Sequence, residues 1–563
     1  MLNFSNQINK KTSNMKRIIT ILIFIPLLFT ACEKILDNRL DTDLTPEQVF
    51  VNFDRIKAVG FGVYNYVPLG YNRIGNAFLA GATDEAEHTF INSAIQDFNF
   101  GFWGPFSNPE ASFTYFYQGI RSANLFLEKS VNYKSIIARD TFTNEGKIIY
   151  NRNVDDLGWM RGEVRFIRAY LYFELIKRYG GVPLVTKTLA LNEGADIPRS
   201  SYQDVIKYIT DECDAIKDSV RVEWLGFSDN ETGRVTKGTV LALKSRALLY
   251  AASPLNNAGN DLLKWQDAAK AAREVIAMNK YALFNNYQNL FLTPNSFRAS
   301  EVIFSRRYGN TNNVERENFP IGTPGGQSGT TPSQNLVDAY EKLPGWTAAN
   351  PYALRDPRLN ATVVVNNSNW NGRIIELWTG GKDGKGVERA SKTGYYLKKF
   401  LSNPLDLVNN QSTVHAWILF RYAEILLNYA EAMNEAYGPD NPFTYGLTAR
   451  QAVNMVRARP GVAMPPVVAL SQADMREKIR HERRIELAYE EHRFWDTRRW
   501  KIAESTLGAP LLGVEITRSS TGTFTYTTIE VEKRVFEPKM YLYPIPQLEI
   551  NKSNGVITQN PNW

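Results

Sequence analysis

Residues 161–185 read RGEVRFIRAYLYFELIKRYGGVPLV. Val164, Ile167, Leu171 and Leu175 recur at steps of three or four residues, the repeat of one helix face, while Arg165, Arg168, Glu174 and Lys177 fall off that stripe. Gly180-Gly181 and Pro183 then stop the helix. The same reading works outward in both directions. From Trp417 to Tyr437, Ile418, Tyr422, Ile425, Tyr429 and Met433 repeat the pattern, and Gly438-Pro439 ends it. Thr45-Pro46-Glu47 reads as a helix start with proline in the first turn.

Small residues crowd several of these helices, at Ala242–Ala252, Ala268–Ala277 and Ala423–Ala432. Alanine at helical spacing lets backbones approach closely, and short connections then favour paired helices. Four pairs are expected: 161–179 with 202–217, 239–252 with 264–278, 420–437 with 447–458, and 474–490 with 493–502. They resemble tetratricopeptide units, without the strict period of a tandem array. The fold class is therefore mainly α: a helical-repeat scaffold of tetratricopeptide-like helix pairs with long loop-rich insertions and a few short strands. Residues 280–415 form the chief insertion, rich in Gly, Pro, Asn and aromatics, with strand-like runs at Val302-Ile303-Phe304 and Ala361–Val365; residues 70–115 are similar. Loops on a rigid scaffold are the usual seat of recognition.

The start of the chain bears on its compartment. Lys16-Arg17 precedes an apolar run from Ile18 to Phe29, and Phe29-Thr30-Ala31-Cys32 closes it with small residues. This pattern is a secretory signal, too short to span a membrane as a mature helix. A cysteine directly after the junction resembles a bacterial lipobox; plain secretion with cleavage after Ala31 is the other reading. Met15 is the better start for such a signal than Met1. Residues 1–31 carry four basic residues and no acid, so their removal lowers the net charge from +7 to +3. No block of like charge stands out, which argues against a nucleic-acid partner. The chain has two cysteines, and with Cys32 lipidated only Cys213 is left. That leaves nothing for a disulfide framework or a cysteine metal site. The expected organisation is a signal peptide at 1–31, a lipid-proximal tether at 32–45, an N-terminal region at 46–279 and a C-terminal region at 280–563 that contains the insertion 280–415.

Four stretches together resemble the SusD/RagB family. Residues 161–188 are similar to its first long helix and following turn. Gly233–Gly238 leading into Leu248–Pro254 is similar to its second helix pair. Ile479–Trp500, with ERRIEL at 482–487 and FWDTRRW at 494–500, resembles its most distinctive signature, and Tyr543-Pro544-Ile545-Pro546 with Gln559-Asn560-Pro561 resembles its ending. In order and spacing the likeness covers residues 30–563. Glu482–Arg499 interleaves acids and bases with Ile485, Leu487, Tyr489 and Phe494, a pattern that suits ion pairs lacing a helix pair rather than a catalytic centre.

The resemblance implies a lipid-anchored protein on the outer face of the outer membrane. Such a protein captures oligosaccharides, or in some members peptides, and delivers them to a SusC-like TonB-dependent transporter. It implies a binding protein rather than a hydrolase; no cofactor and no metal ligand set is expected from the sequence, and a structural calcium is left open. Pyranose rings offer apolar C–H faces to aromatic planes while their hydroxyls require hydrogen-bond partners. The candidate ligand-binding residues are therefore Phe102 and Trp103 with Glu87; Arg306 and Tyr308; and Trp346, Trp370 and Trp378, all in loop-rich segments. The rival class is an enzyme, a glycoside hydrolase above all. His88, His415, His481 and His492 form no His-Glu-x-x-His zinc helix, and Gly322–Gly329, read as flexible surface, lacks the ending of a phosphate loop. The 58 carboxylates leave a glycosidase pair open. A pure assembly scaffold is the third class.

If Cys32 carries the anchor, Cys32→Ser yields unlipidated protein in soluble fractions. Several acyl chains at roughly 0.8 kcal/mol per buried methylene account for membrane retention without help from protein charge. Retention of the variant on membranes would show another anchor.

Overall fold

A computed structural model describes residues 46–138, 141–190, 193–194, 196–224, 231–468 and 470–563; the expected signal, Cys32 and tether lie outside them. Helix accounts for 43% of the structure and strand for 11%, so the mainly-α expectation holds.

The helices of eight residues or more among the described residues are α1 (Phe53–Val63), α2 (Phe113–Lys129), α3 (Asn144–Tyr179), α4 (Tyr202–Ile216), α5 (Lys237–Ala252), α6 (Leu262–Ala277), α7 (Tyr422–Tyr437), α8 (Ala449–Arg457), α9 (Gln472–Glu486) and α10 (His492–Arg499). They pack in succession, α2 on α3, α3 on α4, α4 on α5, α5 on α6, α6 on α7 and α7 on α8 and α9. The junction between the two halves of the chain is the α6–α7 contact. Ala268, Ala269 and Ala272 are buried on α6, as are Ala423, Ala430 and Ala432 on α7, so backbone packs close to backbone.

Helix ends follow local chemistry. Thr143 caps α3 by accepting from the Gly146 amide, and Ser201, Thr236 and Thr448 begin α4, α5 and α8 with capping boxes. Gly180, at φ +70°, closes α3 with its N–H on the Ile176 carbonyl.

Three features differ from the sequence expectations. α3 begins at Asn144, so it is 36 residues long, about 54 Å. Its polar first half has no apolar stripe. Two charges off the apolar stripe of its second half are nevertheless buried, Arg168 and Glu174. Arg168 meets Glu212 on α4 at 3.2 Å, and Glu174 meets Lys177 and Arg178 at 2.6 Å each. Lastly, 474–490 and 493–502 do not form a helix hairpin. Tyr489 and Glu491 take left-handed φ values of +65° and +67°, which redirects the chain. α9 packs on α7, and α10 packs on the turn at Leu79–Ala82.

Three strand pairs hold the loops. β2 (Val302–Thr311) runs antiparallel to β4 (Thr413–Arg421), with Arg306 opposite Trp417, and closes the neck of the 280–415 insertion. β1 (Ala86–His88) pairs with β3 (Thr330–Pro332), and β5 (Leu511–Arg518) with β6 (Phe524–Glu532). Ala361 and Thr362 end a short helix, and only Val363-Val364 of that run is strand.

The charged signature of α9 and α10 is buried and reaches well beyond its own pair. Arg483 binds Asp496 at 2.7 Å, as expected of lacing. Glu486, however, binds Arg358, Arg421 and Arg459 at 2.9, 2.7 and 2.5 Å. Burial by itself would raise the Glu486 carboxyl, but Arg459, Arg421 and Arg358 outweigh it and hold it well below the usual range. Glu431, set against Arg499, is likewise lowered to about 2. A carboxyl depressed in the fold contributes stability above its unfolded pKa and loses it as pH falls. The melting temperature should therefore drop below about pH 4. Glu486→Ala removes the one carboxylate shared by three buried guanidinium groups and should cost about 3–5 kcal/mol in denaturant unfolding. A variant as stable as wild type would show that the network does not hold the fold.

Candidate ligand-binding face

One loop cluster starts from β1. Asp84 accepts from Arg493 at 2.8 Å and Arg484 at 2.9 Å. Arg534 donates to the carbonyls of Thr83, Gly81 and Ala86. These contacts fix the start of the strand. Immediately after it, the Thr89 amide donates to the Gly329 carbonyl at 2.9 Å, and Phe90 emerges half-buried, beside exposed Ile91 and Asn92.

Two groups neighbour the Phe90 ring. The His88 imidazole is 5.4 Å away at 54°, and the Arg389 guanidinium is 5.3 Å from the ring centroid. Arg389 donates to Gln327 Oε1 at 2.8 Å, and its carbonyl accepts from Ser328 Oγ at 2.5 Å. Three segments, 88–92, 322–329 and 382–392, thus converge on one aromatic plane. The glycine-rich 322–329 stretch is packed rather than flexible: Gly326, Ser328 and Gly329 are buried. Gly329 sits at φ +50°, and a side chain there would collide with the Glu317 carbonyl.

Electrostatics under the face favour rigidity. Burial, aided by Lys392, lowers His88 to about 4, so it is neutral near pH 7. Burial raises Glu87 to about 7 against the pull of Lys392, whose ammonium sits 2.7 Å from Glu87 Oε1. Burial, then Asp84, also raises Glu85 to about 7. Such values suit an acid catalyst, but both carboxyls are buried beneath the face rather than open to it. What the face offers is an apolar plane flanked by guanidinium and amide groups, suited to stacking and hydrogen bonding.

A second aromatic pair joins the insertion to the β5–β6 hairpin. Trp378 and Phe524 are both half-buried, 5.3 Å apart, and the Arg518 guanidinium lies 5.0 Å from the Trp378 ring. Thr379 donates to the Ile516 carbonyl at 2.8 Å, which fastens this segment to the β5–β6 hairpin.

The other sequence candidates scatter. Phe102 is 73% exposed. Trp103 is only 6% exposed, packed against Phe98, Tyr543 and Trp563 at 5.1, 5.2 and 4.8 Å. The C-terminal segment covers it, so the loop reading is corrected to core. Trp370, 1% exposed, packs edge-on against Phe319 and is likewise core. Glu87 is corrected to a buried tether of the 382–392 segment. Arg306 donates to the Val67 and Asn65 carbonyls, and the Tyr308 hydroxyl accepts from the Gly70 amide at 3.2 Å; both staple the 65–71 loop. Trp346 is half-buried, with the Lys342 ammonium 3.8 Å from its ring. Trp378 alone of the eight lies in the pair just described. Phe90, Gln327 and Arg389 were missed. The sequence signal was weak, a single aromatic directly after a short strand.

Residues 300–563 match the family model for the SusD family, and residues 74–249 match one described as starch-binding and associating with the outer membrane. The chain belongs to the SusD/RagB family. A SusD-like protein of Formosa agariphila is 26% identical over 536 residues, 90% of this chain and 95% of that protein. The crystal structure of a SusD-like protein from Bacteroides fragilis is 26% identical with a TM-score of 0.76, covering 93% of this chain and 99% of its own. A laminarin-binding SusD-like protein shares the fold, with a TM-score of 0.62 at 23% identity over 91% of this chain and all of its own.

Glu87 supplies a test of this SusD-family site. Its carboxyl is raised in the fold, so its stabilising contribution is full below the unfolded value near 4.3 and is lost as pH rises through about 7. Glu87→Gln removes that titration. The variant should gain on wild type between pH 5 and pH 8, by about 2 kcal/mol. An unchanged difference in melting temperature at the two pH values would refute the assignment.

Proposed function

We propose that this SusD/RagB-family protein is a surface lipoprotein that captures oligosaccharides on the Phe90 face, without turnover. It passes them to a SusC-like TonB-dependent transporter in the outer membrane. The observation that carries this reading is the half-buried Phe90 ring flanked by Arg389 and Gln327, where three fixed segments meet. A sugar's C–H face stacks on such a plane while its hydroxyls meet the amide and guanidinium. Family membership and the laminarin-binding structural relative support a glycan as the ligand. No helix among the described residues is long and apolar enough to cross a membrane. Import by this protein therefore calls for a channel-forming partner, with lipid on Cys32 holding the binder at the surface.

Phe90→Ala should weaken glycan binding at least tenfold, about 1.4 kcal/mol, with the melting temperature within a degree or two of wild type. Trp103→Ala should lower stability by about 3–5 kcal/mol through loss of core packing. Isothermal titration and thermal melts separate the two. Equal binding by Phe90→Ala and wild type would move the site elsewhere, and release of reducing ends by pure protein would overturn binding without turnover. A barrel-sized transporter should co-purify from mild detergent extracts of native membranes; repeated pull-downs lacking one would refute the delivery role.

A further inference from the structure

The two aromatic platforms share a feature that neutral-sugar binding does not require. At each, a guanidinium lies over a ring: Arg389 at 5.3 Å from Phe90, and Arg518 at 5.0 Å from Trp378 and 5.9 Å from Phe524. A stacked guanidinium uses its face on the ring and keeps its in-plane N–H donors for a ligand, in a fork that matches a carboxylate or sulfate.

Neighbouring cations are matched by acids. Arg373 binds Asp383 at 2.6 Å, Lys385 binds Glu515 at 2.6 Å and Lys392 binds Glu87 at 2.7 Å. Arg518 is exposed and makes no ion pair among the described residues. Arg389 spends one N–H on Gln327. Its one ion pair among the described residues is with Glu388, 3.9 Å away and 92% exposed, a contact worth little in water. Exposed Lys382, between the two platforms in sequence, also makes no ion pair among the described residues. The nearby Glu376 carboxylate is turned to the Lys382 backbone amide at 3.2 Å.

Resting on the glycan-binding reading above, we infer that the preferred ligand is an anionic glycan, bearing uronate or sulfate groups. Phe90–Arg389 and Trp378–Phe524–Arg518 act as two subsites that each pair an aromatic plane with a guanidinium fork. The 378–389 segment supplies Trp378 at one end and Arg389 at the other, so one loop contributes to both subsites. Sugar rings stack on the aromatic carbon, and their acidic groups take the free in-plane donors.

The test is affinity electrophoresis of the full-length protein in mild detergent through gels containing polygalacturonate, a sulfated galactan or laminarin. Expected is retardation by one or both acidic polymers at least tenfold stronger than by laminarin, and weakened by added NaCl. Retardation by polygalacturonate alone identifies uronate as the recognised group, and by the galactan alone, sulfate; either supports the inference. Arg389→Met and Arg518→Met, which keep the aliphatic stem over the ring, should each reduce acidic-polymer binding about tenfold with unchanged melting curves. Laminarin bound as tightly as the acidic polymers, or acidic binding indifferent to both substitutions, overturns the inference while leaving glycan capture standing. No retardation by any of the three removes the glycan-binding reading, and the inference with it.

Discussion

A buried cluster of charges about Arg421 and Glu486 ties the helical array to its insertion. Arg421, at the end of β4, binds Glu301, Glu486 and Glu490 at 2.8, 2.7 and 2.7 Å. Arg459, past the end of α8, binds Glu301 and Glu486, and Arg358 within the insertion binds Asp356, Glu482 and Glu486. Lys399, also in the insertion, joins through Glu490 at 2.7 Å. These side chains are removed from water. Taking such ions from solvent is costly, and only near-complete mutual pairing offsets it. The cluster therefore tolerates little displacement. It fixes the neck of the insertion, two points inside it, and the turn after α9 relative to one another.

A second buried set performs the same service for the N-terminal loops. Glu110 takes Arg73 at 2.5 Å and Arg178 at the end of α3, and the Tyr543 hydroxyl donates to it at 2.8 Å. Arg73 also reaches Glu491 at 2.5 Å. The loop after α1, the last turn of α3, the entry to α10 and the C-terminal segment meet there. Asp84, bound to Arg484 and Arg493 on either side of the turn after α9, holds the start of β1, and Phe90 follows that strand. Rigidity under the face matters for recognition because a pre-formed surface spends less of its binding energy on ordering loops.

Charge has two distinct uses in this chain. In the interior, arginines are matched by carboxylates and serve as joints. On the surface, Arg389 of the insertion and Arg518 at the end of β5 lie over aromatic rings with donors left over. The side chain is the same, and burial and the presence of an acid decide which use applies.

The sequence by itself determined the helices whose apolar stripes and stops are local: the second half of α3, the α5–α6 and α7–α8 pairs, and the composition break at 280–415. It also carried the family likeness, because motif order survives without knowledge of contacts. It did not reveal the first half of α3, whose polar residues follow no stripe, nor that Arg168 and Glu174 are buried. It misassigned Trp103 and Trp370, since an aromatic in a glycine-rich stretch reads the same whether a distant segment covers it or not. Trp563 and Tyr543 lie over Trp103 from more than four hundred residues away. Phe90 was passed over for the converse reason: its significance comes from Arg389 and Gln327, which only the folded chain brings to it. Periodicity and caps are properties of neighbouring residues and are legible in order, whereas burial and pairing belong to long-range contacts and are settled only by the tertiary structure.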